Sequence, residues 1–376
     1  MINPSNFYNA LKSYGVDFFT GVPDSLLKSF CAYVTDNSSP EKHVIAANEG
    51  GAVGLAIGYY LSTGKLPLVY LQNSGLGNVI NPLTSLADHD VYSIPLLFLI
   101  GWRGKPDSID EPQHIKQGKI TLETLDVLDV PYVIIDENEK QSINKLSGII
   151  KRSLDESKPV AVVVKKNSFL DYQLKQEQST SFIHKREDVI KMIADNLSSN
   201  DVVVSTTGMS SRELFEYRAF KGDGHGKDFL TVGGMGHASQ IALGVAKGNP
   251  KKNVVCIDGD GSAIMHLGSL SISGSSDVKN FKHIVVNNGS HDSVGGQPTV
   301  AFDINLTAIA EANGYKCFKR CDSMSSLDKV IIDFLRSEGP VFLEILAAKG
   351  SRSNLGRPTK TPIENKIAFM KNLETP

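Results

Sequence analysis

Residues 254–290 read VVCIDGDGSAIMHLGSLSISGSSDVKNFKHIVVNNGS. An apolar run, Val254 to Ile257, leads into Gly259-Asp260-Gly261-Ser262, and a second, His283 to Val286, leads into Asn287-Asn288-Gly289-Ser290. The 25 residues from 262 to 286 leave room for one helix and one return strand. Both strand ends then emerge on the same edge of a parallel sheet, the edge where open α/β sheets bind ligands. Asp260 offers a charged oxygen and Asn288 a neutral one, the donors that Mg²⁺ prefers. The glycines let the backbone approach a diphosphate, and the helix start that follows favours negative charge. Asp-Gly and Asn-Asn are each common turn dipeptides. Together, after two strands and at this separation, they favour a metal–diphosphate site.

Outward from this stretch, short apolar runs recur at Leu68–Leu71, Leu96–Ile100, Tyr132–Ile135, Val160–Val164, Val202–Val204 and Val341–Leu346. Continuous apolar character suits strands buried on both faces. Helix-period segments, such as Gly51–Leu61, Ala238–Ala246 and Leu327–Leu335, alternate with them. The expected class is α/β, with two domains that are each a mostly parallel sheet covered by helices on both faces. The stretch from Ser168 to Lys185, SFLDYQLKQEQSTSFIHK, has neither period and reads as a linker between domains 1–167 and 186–376.

Composition removes several classes of function. With 39 Lys plus Arg against 41 Asp plus Glu, the net charge is -2, which offers no basic excess for nucleic acid. No apolar run approaches the roughly 20 residues of a membrane helix. No signal-peptide pattern opens the chain, so a cytoplasmic location is expected. The four cysteines form no Cys-x-x-Cys pair, which leaves zinc and thiol-redox readings unsupported. No GxxxxGK[ST] occurs, and Ile264 stands where a GxGxxG fingerprint needs its last glycine.

The GDG segment, the spacing and the Asn pair resemble the signature of thiamine-diphosphate enzymes. Gly233-Gly234-Met235-Gly236-His237-Ala238 resembles the pyrimidine-clasping segment of the decarboxylase branch, and Ala46-Ala47-Asn48-Glu49-Gly50-Gly51-Ala52 the segment with the activating glutamate. The resemblance implies a pyrimidine-binding domain followed by a diphosphate-binding domain. Many relatives carry a third domain between these two. Its replacement here by a short linker points to the subgroup of phosphonopyruvate and sulfopyruvate decarboxylases. That subgroup is also resembled by Gly21-Val22-Pro23-Asp24-Ser25, Asn73-Ser74-Gly75-Leu76-Gly77-Asn78, Asp110-Glu111-Pro112-Gln113-His114 and Leu355-Gly356-Arg357-Pro358.

The resemblance implies thiamine diphosphate and Mg²⁺ as cofactors. Mg²⁺ would be held by Asp260, Asn288 and the Ser290 carbonyl. Gly259, Gly261 and Ser262 would lie against the diphosphate. The Gly233 carbonyl would accept from the aminopyrimidine, Met235 would hold the cofactor bent, and Glu49 would bond the pyrimidine ring. The implied substrate is a small anionic 2-oxo acid, and active sites are expected between the subunits of a homodimer or larger homo-oligomer. Asp24 and His114 occupy places where related decarboxylases keep proton-transfer groups, and His291 or its neighbour Asp292 is a further candidate; Val294 stands where longer decarboxylases place a glutamate. Arg103, Arg352 and Arg357 are candidates for an anionic tail, since a guanidinium fork matches a tetrahedral oxyanion. The loop Gly295-Gly296-Gln297-Pro298-Thr299 is a candidate closing segment or a passive turn. A cofactor-binding regulatory subunit without decarboxylation is the alternative from another class.

Overall fold

The computed structural model describes residues 1–176, 180–317, 320–321 and 327–374. Two compact units form, Met1–Glu177 with Ser293–Gln297, and Gln178–Asp292 with Pro298–Pro376. The first holds strands β1 (Phe19–Gly21), β2 (His43–Ile45), β3 (Leu68–Gln72), β4 (Leu97–Gly101), β5 (Tyr132–Ile135) and β6 (Val160–Val164). They lie in the order β2-β1-β3-β4-β6-β5, every pair parallel. The second holds β7 (Asp201–Ser205), β8 (Asp228–Leu230), β9 (Asn253–Gly259), β10 (Phe281–Asn287), β11 (Lys316–Cys317) and β12 (Val341–Leu346). Their order is β11-β12-β10-β9-β7-β8, again all parallel.

Read from the other edge, the second sheet repeats the strand order of the first. The two halves therefore share one topology with no visible sequence identity. In each sheet the chain steps outward once, then returns past its first strand. The topological switch falls between β1 and β3 in one unit and between β7 and β9 in the other. Ligands of open α/β sheets bind outside the carboxyl ends of strands at such a switch.

Apolar runs form these strands because both faces are covered. On β3, Leu68 and Tyr70 join one core while Val69 and Leu71 join the other. On β9, Val255 and Ile257 face one side, Val254 and Cys256 the opposite. The α/β expectation holds in both units.

One local expectation needs correction. Between the GDG segment and the Asn pair there are two short helices, Asp260–Met265 and Ser269–Gly274, where one was expected. The break runs through a tight turn in which Ser269 N donates to His266 O (2.8 Å) and Leu270 N to Leu267 O (3.1 Å). Gly268 within it is a poor helix former. The stretch expected to be a linker is anchored on its described N-terminal side. Tyr172 Oη donates to Asp36 (3.1 Å), and the Lys175 and Gln176 amides donate to the same carboxylate at 2.9 and 3.2 Å. Residues 177–179 of it lie outside the described residues.

At the end of β1, Gly21 has φ +152°, and a Cβ there would stand 1.9 Å from the Tyr70 carbonyl oxygen on β3. Gly21→Ala should therefore destabilise the protein by about 1–3 kcal/mol, the cost of overpacking a core. An unchanged denaturant midpoint would contradict this packing.

Candidate active site

In the second unit the expected metal donors gather at the carboxyl ends of β9 and β10. Asp260 begins the helix after β9 and is 3 % exposed. Its Oδ2 accepts a short hydrogen bond from the Thr299 hydroxyl. Burial pushes the Asp260 carboxyl up to about 6, against the pull of the Thr299 hydroxyl and nearby backbone amides. Among the described residues no lysine or arginine pairs with it. A buried carboxylate without a cation is costly, and a divalent ion relieves that cost.

Asn288 follows β10 and is buried. Its amide nitrogen donates to Asp292 (2.7 Å), and its Oδ1 accepts from the Ser290 amide (3.3 Å). Ser290 is buried, and its hydroxyl has no partner. The donor set is oxygen throughout, the chemistry Mg²⁺ selects.

Backbone clearance at this edge is also tight. A Cβ on Gly261 would meet the His291 ring at 2.9 Å and the Met235 methyl at 3.3 Å, so only glycine fits between them. The turn carrying Gly233 and Met235 bends through Gly234 (φ 65°) and Gly236 (φ 86°). The Ser262 hydroxyl accepts from Gly236 N (3.0 Å) and pairs with Thr206 Oγ1 (2.9 Å), tying this turn to the ends of β7 and β9. Burial holds the His291 imidazole down, at about 4, despite the nearby Asp292 charge. His291 is thus neutral at pH 7. Asp292 is committed elsewhere, accepting from Asn288, Arg186 (3.0 Å) and Gly350 N (3.1 Å).

In the first unit Glu49 opens the helix Glu49–Thr63, capped by the Asn48 side chain, which accepts from Gly51 N (2.8 Å). The asparagine cap and the αL Gly64 at the other end explain its bounds. Glu49 is 5 % exposed, and its carboxylate accepts from Asn78 Nδ2 (2.7 Å). A Cβ on Gly75 would press within 2.4 Å of that carboxylate, so Gly75 provides its space.

Asp24 follows β1 and is fully buried. Its Oδ2 accepts from Leu26 N (3.0 Å), while Oδ1 is buried without a partner. Gly101 at the end of β4 leaves room for it, because a Cβ there would lie 2.0 Å from Oδ2. His114 is buried in the first turn of the helix Pro112–Val127. Its carbonyl packs against Gly104, where a Cβ would stand only 1.9 Å away.

The arginines expected to meet an anionic tail are differently placed. Arg103 forks onto Asp110 (Nε to Oδ2 2.9 Å) and donates to Ser25 (2.6 Å). Although burial acts to raise it, Arg103 holds the Asp110 carboxyl well below the usual range. Arg352 is engaged by Glu187 (3.1 Å) and Glu216. Arg357 is exposed. Thr206 was not singled out by sequence, and Gly75, Asn78 and Thr299 stood only within quoted segments with no role of their own, because isolated polar or small residues carry no periodic signal. Asn73 belongs with them: it is buried, donates to Arg103 O (2.8 Å) and Thr121 (2.9 Å), and accepts from Arg103 N (3.1 Å).

Asp24 has a measurable signature. Burial pushes its carboxyl from 3.8 up to about 6, against the Arg103 charge and backbone amides. Between these values the folded chain keeps a proton that the unfolded chain has released. Stability therefore falls as pH rises through that window, by about 3 kcal/mol. Asp24→Asn should raise the unfolding midpoint at pH 7, with the gain vanishing toward pH 4. An equal effect at both pH values would contradict the buried charge.

Residues 5–124 match the family description "Thiamine pyrophosphate enzyme, N-terminal TPP binding domain", and residues 206–345 match its C-terminal counterpart. The chain is 33 % identical to phosphonopyruvate decarboxylase of Streptomyces viridochromogenes, over 100 % of this chain and 96 % of that protein. Against the phosphonopyruvate decarboxylase of Streptomyces hygroscopicus the identity is 32 %, covering 97 % and 92 %. Sulfopyruvate decarboxylase of Methanosarcina acetivorans is 27 % identical, covering 100 % and 98 %. Both domain matches, with near-complete coverage of these relatives, show that the chain belongs to the thiamine pyrophosphate enzyme family, in the branch that holds phosphonopyruvate and sulfopyruvate decarboxylases.

Proposed function

We propose that this protein decarboxylates 3-phosphonopyruvate to phosphonoacetaldehyde and CO₂, using thiamine diphosphate and Mg²⁺. The observation that carries the cofactor reading is the buried, cation-free Asp260 carboxylate beside Asn288 and Ser290. The substrate reading is supported by the full-length phosphonopyruvate decarboxylase relatives. When bound, thiamine diphosphate supplies the electron sink that loss of CO₂ from a 2-oxo acid requires.

The chain's own residues do the rest. Asp260, Asn288 and the Ser290 carbonyl hold Mg²⁺, with Gly259, Gly261 and Ser262 against the diphosphate. The Gly233 carbonyl and Met235 receive the pyrimidine end. Glu49, held by Asn78, keeps a proton on the aminopyrimidine. Asp24, with its elevated proton affinity, is suited to exchange a proton with the substrate near neutral pH. His114 and the neutral His291 are further polar groups for that step. Arg103, Arg352 and Arg357 are the cations available to an anionic tail, the first two by exchange of their carboxylate partners.

We also propose a homo-oligomer with active sites between subunits. The Glu49 helix leaves Leu55 and Leu61 exposed, and Ile80 and Leu86 nearby in sequence are exposed too. These apolar groups are suited to cover by a second copy.

Two measurements test the function. Glu49→Gln should lower kcat by about 100-fold or more, the worth of a positioned proton-transfer group, while cofactor binding persists. Near-normal turnover would remove Glu49 from the chemistry. Sulfopyruvate decarboxylation is the second reading, favoured by the full-length relative at 27 % identity. Steady-state kinetics with both 2-oxo acids should give the higher kcat/KM for phosphonopyruvate. The reverse order would assign the sulfonate, and no CO₂ from either would favour a non-catalytic cofactor-binding subunit.

A further inference from the structure

We propose that Glu344, a carboxylate sealed inside the second unit, positions the metal-binding turn after β10 and, through Asn287 and Thr299, sets the Asp260 carboxylate. The inference rests on the metal assignment made above. Glu344 lies on β12 and is 0 % exposed. Its Oε1 accepts from Asn287 Nδ2 (2.8 Å) and stands 3.3 Å from Arg320 Nε. Its Oε2 accepts from the Thr307 hydroxyl (3.2 Å). Two hydrogen-bond donors and the Arg320 guanidinium charge converge on its two oxygens. A carboxylate answers that charge, and a neutral amide does not.

Asn287, also 0 % exposed, passes this constraint on. The same Nδ2 donates to Ala301 O (3.1 Å), and Oδ1 accepts from Gly289 N (3.1 Å). The side chain thus fixes both limbs of the loop that leaves β10 at Asn288 and returns at Ala301. Arg320 Nη2 reaches the same Ala301 carbonyl at 3.5 Å. On the returning limb, Thr299 N donates to Gly289 O (2.9 Å), and Ala301 N donates to the Thr299 hydroxyl (3.3 Å). With Ala301 N on its lone pair, that hydroxyl directs its one proton at Asp260 Oδ2. A continuous path of hydrogen bonds therefore joins Glu344, Asn287, Ala301, Thr299 and Asp260. Asn287 is no rival ligand to Asn288: its amide is wholly turned to holding the loop.

The probe is Mn²⁺, titrated by electron paramagnetic resonance into the full chain at saturating thiamine diphosphate. E344Q keeps the shape of the side chain but removes the charge that faces Arg320. It should weaken Mn²⁺ binding about tenfold, as outer partners of metal ligands do. T299V, which deletes the bond to Asp260, should act in the same direction. It carries the test alone if E344Q does not fold. Because both lie on one path, the double variant should lose clearly less than the product of the single losses. A purely structural role would lower the melting temperature of the cofactor-free protein and leave Mn²⁺ affinity within about twofold. That result, or strict additivity, would overturn the positioning role. No cofactor-dependent Mn²⁺ binding by the unaltered protein would overturn the metal assignment and this inference together.

Discussion

A carboxylate withdrawn from water with no cation paired to it among the described residues is the constraint around which the second unit is arranged. Asp260 bears that burden at the mouth of the topological switch. Its surroundings are amides, hydroxyls and a second carboxylate network, none of which supplies positive charge to it. Arg186, which pairs with the neighbouring Asp292, is spent on that residue and Glu213. Such an arrangement costs stability unless a divalent ion completes it.

The first unit repeats the theme with different chemistry. Asp24 is also buried at a strand end, with one oxygen unsatisfied, and its proton affinity rises accordingly. Here the charged neighbour Arg103 is present but is held mainly by Asp110. Strongly perturbed acids in a fold of ordinary stability mark places where function outweighs packing. Two halves with one strand order thus each bury a carboxylate at a strand end.

Much of this was legible in residues. The apolar runs specified β3, β4, β5, β6, β7, β9, β10 and β12, because strands covered on both faces are apolar throughout. Four strands had no such signal: β1, β2, β8 and β11 are two or three residues long, too short to show a period. The shared strand order was equally hidden, since topology is kept by burial pattern and not by residue identity. The single helix expected after the GDG segment proved to be two, because a tight turn at 266–268 outweighed its apolar content.

Sequence by itself determined the class, the two-part organisation and the chemical types of the site: a charged and a neutral oxygen at matched strand ends, and a glutamate at the head of an apolar helix. These follow from local order along the chain. Only the tertiary structure decided which side chains are spent on one another. Arg352 and Arg103 look alike as sequence candidates, yet the first is clasped by two glutamates and the second by one aspartate and a serine. Thr299, Asn78, Gly75 and Glu344 gain meaning only through neighbours 39, 29, 26 and 57 positions away. Desolvation and hydrogen-bond geometry arise from such distant approaches, and no local pattern encodes them.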